Sequence, residues 1–330
     1  MAWTTSTAMA IRSAALAGSG PEPPATRHAG ETYDRPVRAS VAILCSLLGA
    51  GWGLLLPALV YRYSVAWPDG EPQPPWRRTC VRCQVPLPVW WRPAWRCRVC
   101  AESYGPSLWA TVPTSVVVFA LVGGALGDEI RLASLAVLVA FLVFAALGLL
   151  LAFVDFAVMR LPQPLLWVVF VAGVALLTVA ALAEGHPSLL VRPVLGALVS
   201  GAVYVVLAAL PGSHLGYGDV KLGAVAGMYL GWLGWPAVLA GLILAPLVNL
   251  PIVLTVLVTR RAGRKSLMPY GPAMLIAVLV SIILLAAQTW VPQLIAVSGH
   301  TAGCLPRSAI RGRVENAETT GHTSNSDSLV

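Results

Sequence analysis

The stretch LASLAVLVAFLVFAALGLLLAFV, residues 132–154, decides the fold that this chain can adopt. Its 23 residues include no charged side chain, and roughly 20 apolar residues are enough for a helix to cross the hydrocarbon core of a bilayer. The whole chain has this character, because 57% of its 330 residues are hydrophobic and only 11% are charged. Soluble globular domains are much less apolar. The sequence therefore predicts an all-α polytopic membrane protein.

Apolar segments of this kind recur along the chain and predict about eight transmembrane helices. The sixth segment is short, and Gly234 and Pro236 interrupt the pattern after it, so the sixth and seventh segments could instead form one kinked helix. The predicted spans are 41–61, 108–126, 132–154, 164–183, 189–210, 220–233, 235–258 and 272–297.

The basic residues predict how these spans are oriented. Seven arginines lie between the first two spans and four basic residues between the last two, whereas the other side carries only Arg131 and, at the start of the fifth span, Arg192. Because cytoplasmic loops are enriched in Lys and Arg, we expect both basic loops in the cytoplasm. The net charge of +8 is therefore a topology signal, and we expect the lipid bilayer as a partner but no nucleic acid.

The flanks differ in composition from the apolar part of the chain. Residues 1–40 and 298–330 are rich in small and polar residues, which predicts a disordered leader and a disordered tail. Between them the sequence predicts a first transmembrane helix (41–61), a cytoplasmic cysteine-containing loop (62–107) and a larger transmembrane domain (108–297).

Two aspartates adjoin the apolar segments and are expected to lie together. Asp155 follows the third span, and Asp219 precedes the sixth span in the stretch GYGDVKL, residues 216–222. Odd and even spans run in opposite directions, so the end of the third and the start of the sixth lie at the same membrane face. A charge at this depth is costly, and such residues usually have a function.

The pair indicates the chemistry of an aspartic protease. Two carboxyl groups close together in a low-dielectric site cannot both ionise easily, so one keeps its proton. The ionised group can then take a proton from water while the protonated group polarises the scissile carbonyl. The flanking Gly216 and Gly218 would let the backbone approach a substrate closely. Lys221 would either favour the ionised form of Asp219 or extend towards the interface.

Other interpretations of these residues remain open at this point. Asp219 could be a helix cap, and Asp155 could pair with Arg160 across a short loop. Carboxylates at broken helices also occur in proton-coupled transporters, although these usually lie nearer the middle of the membrane.

The loop 62–107 carries four cysteines in the pattern C-x2-C-x13-C-x2-C: Cys80, Cys83, Cys97 and Cys100. This spacing allows four thiolates to converge on a zinc ion, and a four-sulfur shell leaves no position for a substrate. The sequence therefore predicts a structural zinc site, with four free thiols as the alternative. Several tryptophans in the loop are expected to rest on the membrane interface or to pack among themselves: Trp76, Trp90, Trp91 and Trp95.

Four motifs, in order along residues 41–297, resemble those of the bacterial type IV prepilin peptidases. GYGDVKL matches the Gly-X-Gly-Asp motif, with its X-Lys-Leu continuation, around the family's second catalytic aspartate. The first catalytic aspartate of the family is followed seven residues later by a proline in a Leu-Pro pair, as Asp155 is by Pro162. The other matches are MPYGP (268–272) and the two CxxC pairs followed by Tyr104.

The resemblance implies a membrane aspartic endopeptidase that cuts the basic leader from type IV prepilins, or from the pseudopilins of type II secretion, after a glycine. It implies a multi-pass protein of the bacterial inner membrane whose active site faces the cytoplasm. A catalytically inactive scaffold for pilus assembly is a further alternative.

The family also N-methylates the new terminus with S-adenosylmethionine, and two departures from its pattern bear on that second activity. The first span lacks the usual Asn before Tyr61 and Arg62, and no Glu follows Tyr104 in the stretch YGPSL, residues 104–108.

Overall fold

The structure is a computed structural model that describes residues 24–65, 76–127, 131–210, 215–259 and 270–301. The chain divides into two compact units, residues 1–283 and residues 284–330. The aspartates and the cysteine loop lie in the first unit, and the described residues 284–301 of the second are helical. The disorder expected at 1–23 and 302–330 lies outside the described residues.

The described residues form eight α-helices and one short 3-10 helix, with no named β-strand among them. Each predicted apolar segment corresponds to one helix, which confirms the all-α class. The helices are α1 (Pro24–Tyr63), α2 (Leu108–Leu126), α3 (Leu132–Val158), α4 (Gln163–Ala183), α5 (Val191–Ala209), α6 (Tyr217–Leu233), α7 (Trp235–Thr259) and α8 (Gly271–Thr301), and the 3-10 helix is Pro187–Leu190.

Most of these helices have the length and composition of membrane spans. Five candidate spans occur in the described residues: Val37–Tyr63 of α1, all of α2, α3 and α4, and α5 together with the 3-10 helix before it. Shorter apolar stretches occupy Trp235–Pro251 of α7 and Gly271–Ala286 of α8. The chain is therefore a multi-pass membrane protein.

The first helix begins earlier than the sequence predicted. It starts at Pro24, so residues 24–40 are helical instead of disordered. Nucleation is the costly step of helix formation, and extension adds one hydrogen bond for each residue fixed. The apolar part of α1 supplies the nucleus, and the polar residues before it continue the same helix.

A break at Gly234 separates α6 from α7, so these segments are two helices and not one kinked helix. Gly234 has φ = 123°, which L-residues with a side chain rarely adopt. Its N–H donates to the carbonyl of Leu230 and ends α6, and α7 begins at the next residue.

Small residues let α5 and α6 approach closely. Gly223, Gly227 and Gly231 repeat every four residues on α6, and a Cβ atom at each would collide with α5. At position 223 it would meet the ring of Tyr204, and at position 227 the side chain of Ser200. Such small-residue stripes are typical of helix contacts in membranes.

Helix α6 is enclosed by its neighbours, since nine of the ten residues 222–231 are buried. Opposite α5, Tyr229 of α6 stacks on Phe144 of α3, with ring centroids 4.6 Å apart. Its hydroxyl donates to the carbonyl of Val169 on α4 at 3.1 Å. This packing fixes the start of α6 relative to the ends of α3 and α4.

Candidate active site

Asp155 lies in the last turn of α3 and is almost fully buried, with 4% of its surface exposed. The helix ends just beyond it because Met159 adopts the left-handed conformation (φ = 52°), and the N–H of Met159 donates to the carbonyl of Asp155 at 2.7 Å. The side-chain Oδ2 accepts a hydrogen bond from the N–H of Gly271, the first residue of α8, at 3.2 Å. Helix N-termini stabilise negative charge in this way.

Asp219 lies in the first turn of α6 and is half-buried. Its Oδ2 accepts a hydrogen bond from the N–H of Gly216 at 3.1 Å, and its own N–H donates to the carbonyl of Gly216 at 3.0 Å. The carboxylate thus contributes to the start of the helix from the third helical position, whereas the N-cap, which the cap interpretation assigned to Asp219, is Gly216. This contact uses one of its two oxygens. Within the described residues, Oδ1 of Asp219 and Oδ1 of Asp155 accept no hydrogen bond.

Leu161, in the turn between α3 and α4, lies beside two glycines that adjoin the aspartates, Gly218 before Asp219 and Gly271 at the hydrogen bond to Asp155. A Cβ atom at Gly218 would lie 3.1 Å from the Cβ of Leu161, and one at Gly271 would lie 3.7 Å from its Cδ2 and 3.0 Å from Oδ2 of Asp155. The two carboxyl groups are close enough to interact electrostatically. The structure therefore brings together the two residues that helix direction alone had placed at one membrane face.

Two tyrosines complete the surroundings of Asp219. Tyr204 of α5 and Tyr270, just before α8, both interact electrostatically with the Asp219 carboxylate. Their rings meet edge to face, with centroids 6.3 Å apart. Tyr204 was not predicted as a site residue from the sequence. The feature of the sequence that could have indicated it is the repeat of Gly196, Ser200 and Tyr204 at every fourth residue, because these residues form the buried face of α5.

Residues 142–286 match the model of the type IV leader peptidase family. This segment of the chain belongs to that family. The match spans both aspartates, Leu161 and Tyr270, and it ends within α8. No curated protein and no solved structure matches the chain. Membership of a peptidase family makes this leader peptidase segment a protease, and it confirms the resemblance of the sequence motifs.

The other predicted site residues of the leader peptidase segment occupy different positions around Asp219. Gly216 is exposed, and a Cβ atom there would make only ordinary contacts, the nearest at 3.5 Å from Oδ2 of Asp219. Gly218 faces Leu161, so its small size serves a contact within the protein. Lys221 is exposed, and no ion pair joins it to Asp219 in the described part of the chain.

The four cysteines of the loop before the leader peptidase segment form a compact cluster. Their sulfur atoms all lie within 4.8 Å of one another, with Cys80 Sγ 3.7 Å from Cys100 Sγ and Cys83 Sγ 3.5 Å from Cys97 Sγ. A tetrahedral zinc ion with sulfur ligands at about 2.3 Å places neighbouring sulfurs about 3.8 Å apart. The cluster therefore has the spacing of a metal site.

The loop is built from two copies of one turn, offset by 17 positions. In each copy the residue after the second cysteine, Gln84 or Ala101, has φ near 57° and donates to the carbonyl of the first cysteine. The N–H of each first cysteine bonds to the carbonyl five residues ahead, at 2.9 Å for Cys80 and 2.8 Å for Cys97. The two turns face each other across the four sulfurs.

The same turns stabilise two of the four thiolates, whereas burial and the neighbouring thiols raise the pKa of Cys83 and Cys100. The pKa of Cys97 is lowered to about 6, first by the N–H of Cys100 and next by that of Val99. The pKa of Cys80 is also lowered, chiefly by the N–H of Cys83. Because metal ligation requires thiolates, these backbone donors suit a metal ion.

Proposed function

We propose that the chain is a membrane aspartic endopeptidase that removes the basic leader of type IV prepilins or pseudopilins. The observation that carries the proposal is the juxtaposition of Asp155 and Asp219 inside a segment of the leader peptidase family. Each aspartate has one oxygen held by a backbone N–H at a helix start and one oxygen without a partner among the described residues.

The proposed mechanism uses these free oxygens. A water between them gives its proton to the ionised carboxylate and attacks the carbonyl carbon of the scissile bond, whose oxygen accepts a hydrogen bond from the protonated partner. Transfer of a proton to the leaving amine completes hydrolysis. The N–H groups of Gly216 and Gly271 hold the other oxygens in place, so the reacting oxygens keep their orientation.

The basic loops support a location in the bacterial inner membrane with the aspartates at the cytoplasmic face. Arg-rich loops lie on the cytoplasmic side of bacterial inner-membrane proteins. The loop between α1 and α2 is attached to the ends of two helices, and it carries six arginines and one glutamate over residues 76–107. Helix parity places Asp155 and Asp219 on the same side as this loop.

The cysteine cluster is proposed to hold a structural zinc ion. The sulfur spacing and the thiolate-stabilising turns fit zinc, and four protein ligands leave no open position for a substrate. When bound, the ion would crosslink the two halves of the loop. The proposed hydrolysis does not pass through it.

Mass spectrometry of a candidate prepilin co-expressed with this protein tests the proposal. We expect the pilin N-terminus to begin directly after the leader with the wild-type chain, and the full leader to remain with Asp155→Asn or Asp219→Asn. The matched control is Glu184→Gln, the same chemical change at an exposed turn after α4, which should process the pilin normally.

Two results would overturn the proposal. Full processing by either asparagine variant would show that the pair is not catalytic. A pilin that keeps its leader with the wild-type chain, yet assembles with both asparagine variants, would instead indicate a scaffold. The same spectra report methyl transfer by S-adenosylmethionine, because the new N-terminus would carry the added mass of one methyl group.

A further inference from the structure

The loop between α1 and α2 exposes aromatic side chains that are not part of its cysteine cluster. Trp90 and Trp91 are 63% and 62% exposed, and their rings contact each other edge to face at 5.7 Å. Val89 and Trp95 are also exposed. An exposed apolar patch of this kind marks a surface that meets a partner or a membrane.

Residues 88–98 carry positive charge and include no acidic residue. Arg92, Arg96 and Arg98 are exposed, and among the described residues none of them forms an ion pair. They line a cavity of about 240 Å³ whose other walls are mostly prolines and apolar side chains. Glu102, the only acidic residue of 76–107, is paired with Arg82. The cavity therefore favours a ligand that has an anionic group next to an apolar part.

A contact with α1 holds this surface close to the end of that helix. Arg62, in the last turn of α1, donates from Nη2 to the carbonyl of Pro88 at 2.8 Å. An extended chain advances roughly 3.5 Å per residue, so Trp90 lies within about 7 Å of that carbonyl. Since α1 is a candidate span that ends at Tyr63, Trp90 and Trp91 lie close to the end of a candidate membrane span.

We propose that residues 88–98 bind the headgroup region of anionic phospholipids. Trp90 and Trp91 lie at the boundary between headgroups and acyl chains, where tryptophan is favoured. Arg92, Arg96 and Arg98 bind the headgroup phosphates, which guanidinium groups match in geometry. A basic prepilin leader does not fit this surface, because its charge has the same sign. The proposal goes beyond the proposed peptidase activity and does not depend on it.

Lipid retention by the full-length protein tests the arginines. The protein is reconstituted in nanodiscs of phosphatidylcholine with phosphatidylglycerol, and the lipids that stay bound are measured by native mass spectrometry. We expect a preference for phosphatidylglycerol that falls about fivefold for each arginine removed in Arg92→Gln/Arg96→Gln, as estimated from the attraction of one basic residue to an anionic surface.

The control for this experiment removes the same charge elsewhere in the loop. Arg78→Gln/Arg82→Gln changes two exposed arginines outside the cavity and should keep most of the preference. Equal losses in the two variants, or no preference in the wild-type chain, would overturn the proposal. Displacement of phosphatidylglycerol by inorganic phosphate would also overturn it, because the site would then be one for a free anion.

Fluorescence tests the tryptophans in the same bilayers. The difference in emission between the wild-type chain and Trp90→Phe/Trp91→Phe isolates these two rings. We expect this difference emission to be blue-shifted and to be quenched by phospholipids with brominated acyl chains. Emission at the wavelength of tryptophan in water, without quenching, would contradict contact with the bilayer.

Discussion

The aspartate site and the cysteine loop bring distant side chains together by different means. The loop places its four sulfurs with two local turns, each closed within five residues. The aspartate site instead collects residues from α3, α6 and α8 and the turn that contains Leu161, across more than 100 positions. The first depends on local backbone conformation and the second on helix packing, so substitutions should affect them in different ways.

The largest expected effect is loss of the proposed zinc ion. Replacement of two ligands in Cys80→Ser/Cys83→Ser removes the half-site, and structural zinc contributes about 10 kcal/mol or more to such folds. We expect about one zinc per chain in the wild type and none in the variant. We also expect trypsin to cut the arginine-rich loop rapidly while the helical circular dichroism stays unchanged.

The matched control for metal loss is Cys45→Ala, which removes a thiol from α1 and should keep the zinc. If the wild-type protein contained no zinc, the alternative that the four cysteines are free thiols would be supported instead. Loss of helical signal in the double variant would show that the two regions are not independent.

The next prediction compares substitutions at the two glycines before Asp219. In Gly218→Ala the new methyl group lies 3.1 Å from the Cβ and 3.3 Å from the Cδ1 of Leu161, so Leu161 or the start of α6 must move by a few tenths of an ångström. Since a misplacement of 1 Å costs about 100-fold in rate, we expect this smaller shift to slow cleavage by about 20-fold. Gly216→Ala has room for its methyl group and should stay within about threefold of the wild type. Rates of prepilin cleavage measure both, and equal losses would contradict the role given to Leu161.

A smaller effect is expected at the other helix start. In Gly271→Ala the methyl group lies 3.0 Å from Oδ2 of Asp155, so the carboxylate must move by a few tenths of an ångström. We expect cleavage to slow by about tenfold, the loss that goes with about 1.4 kcal/mol of transition-state stabilisation. Gly124→Ala on α2, which meets only ordinary contacts, should leave the rate unchanged. Wild-type cleavage by Gly271→Ala would exclude a positioning role for this contact.

The smallest effect concerns the left-handed residues of the loop. Ala101 has φ = 56°, which costs roughly 1 kcal/mol for a residue with a Cβ atom. Ala101→Gly should therefore bind zinc about fivefold more tightly, measured by competition with a chelator. Val99→Gly, which lacks a positive φ, controls for glycine itself and should not tighten binding.

The loop was the more predictable region. The spacing of Cys80, Cys83, Cys97 and Cys100 predicted the cluster, because CxxC pairs form tight turns by themselves. The left-handed conformation of Gln84 and Ala101 was not predictable, since neither residue type favours it. The tryptophans were expected at the interface or in a cluster of their own, and the structure leaves each of them exposed.

The helices were predictable as segments, while some of their ends were not. The lengths of the apolar segments predicted all eight helices, and the direction of the helices placed Asp155 on the same side as Asp219. The early start of α1 was missed because its first residues are polar. Tyr204 was missed because its electrostatic interaction with Asp219 depends on the close packing of α5 and α6, which the length of apolar segments does not reveal.

Because α6 is enclosed by other helices, its length does not have to match the thickness of the hydrocarbon core. Its 17 residues span about 26 Å, less than the roughly 30 Å of hydrocarbon that a lipid-exposed helix must cross. A helix that touches protein on all sides does not have to match the bilayer thickness. The start of α6, where Asp219 is half-buried and Lys221 is exposed, can therefore lie below the headgroups while the enclosed residues 222–231 stay out of contact with lipid. The shortness of α6 thus limits how close Asp219 comes to the membrane face.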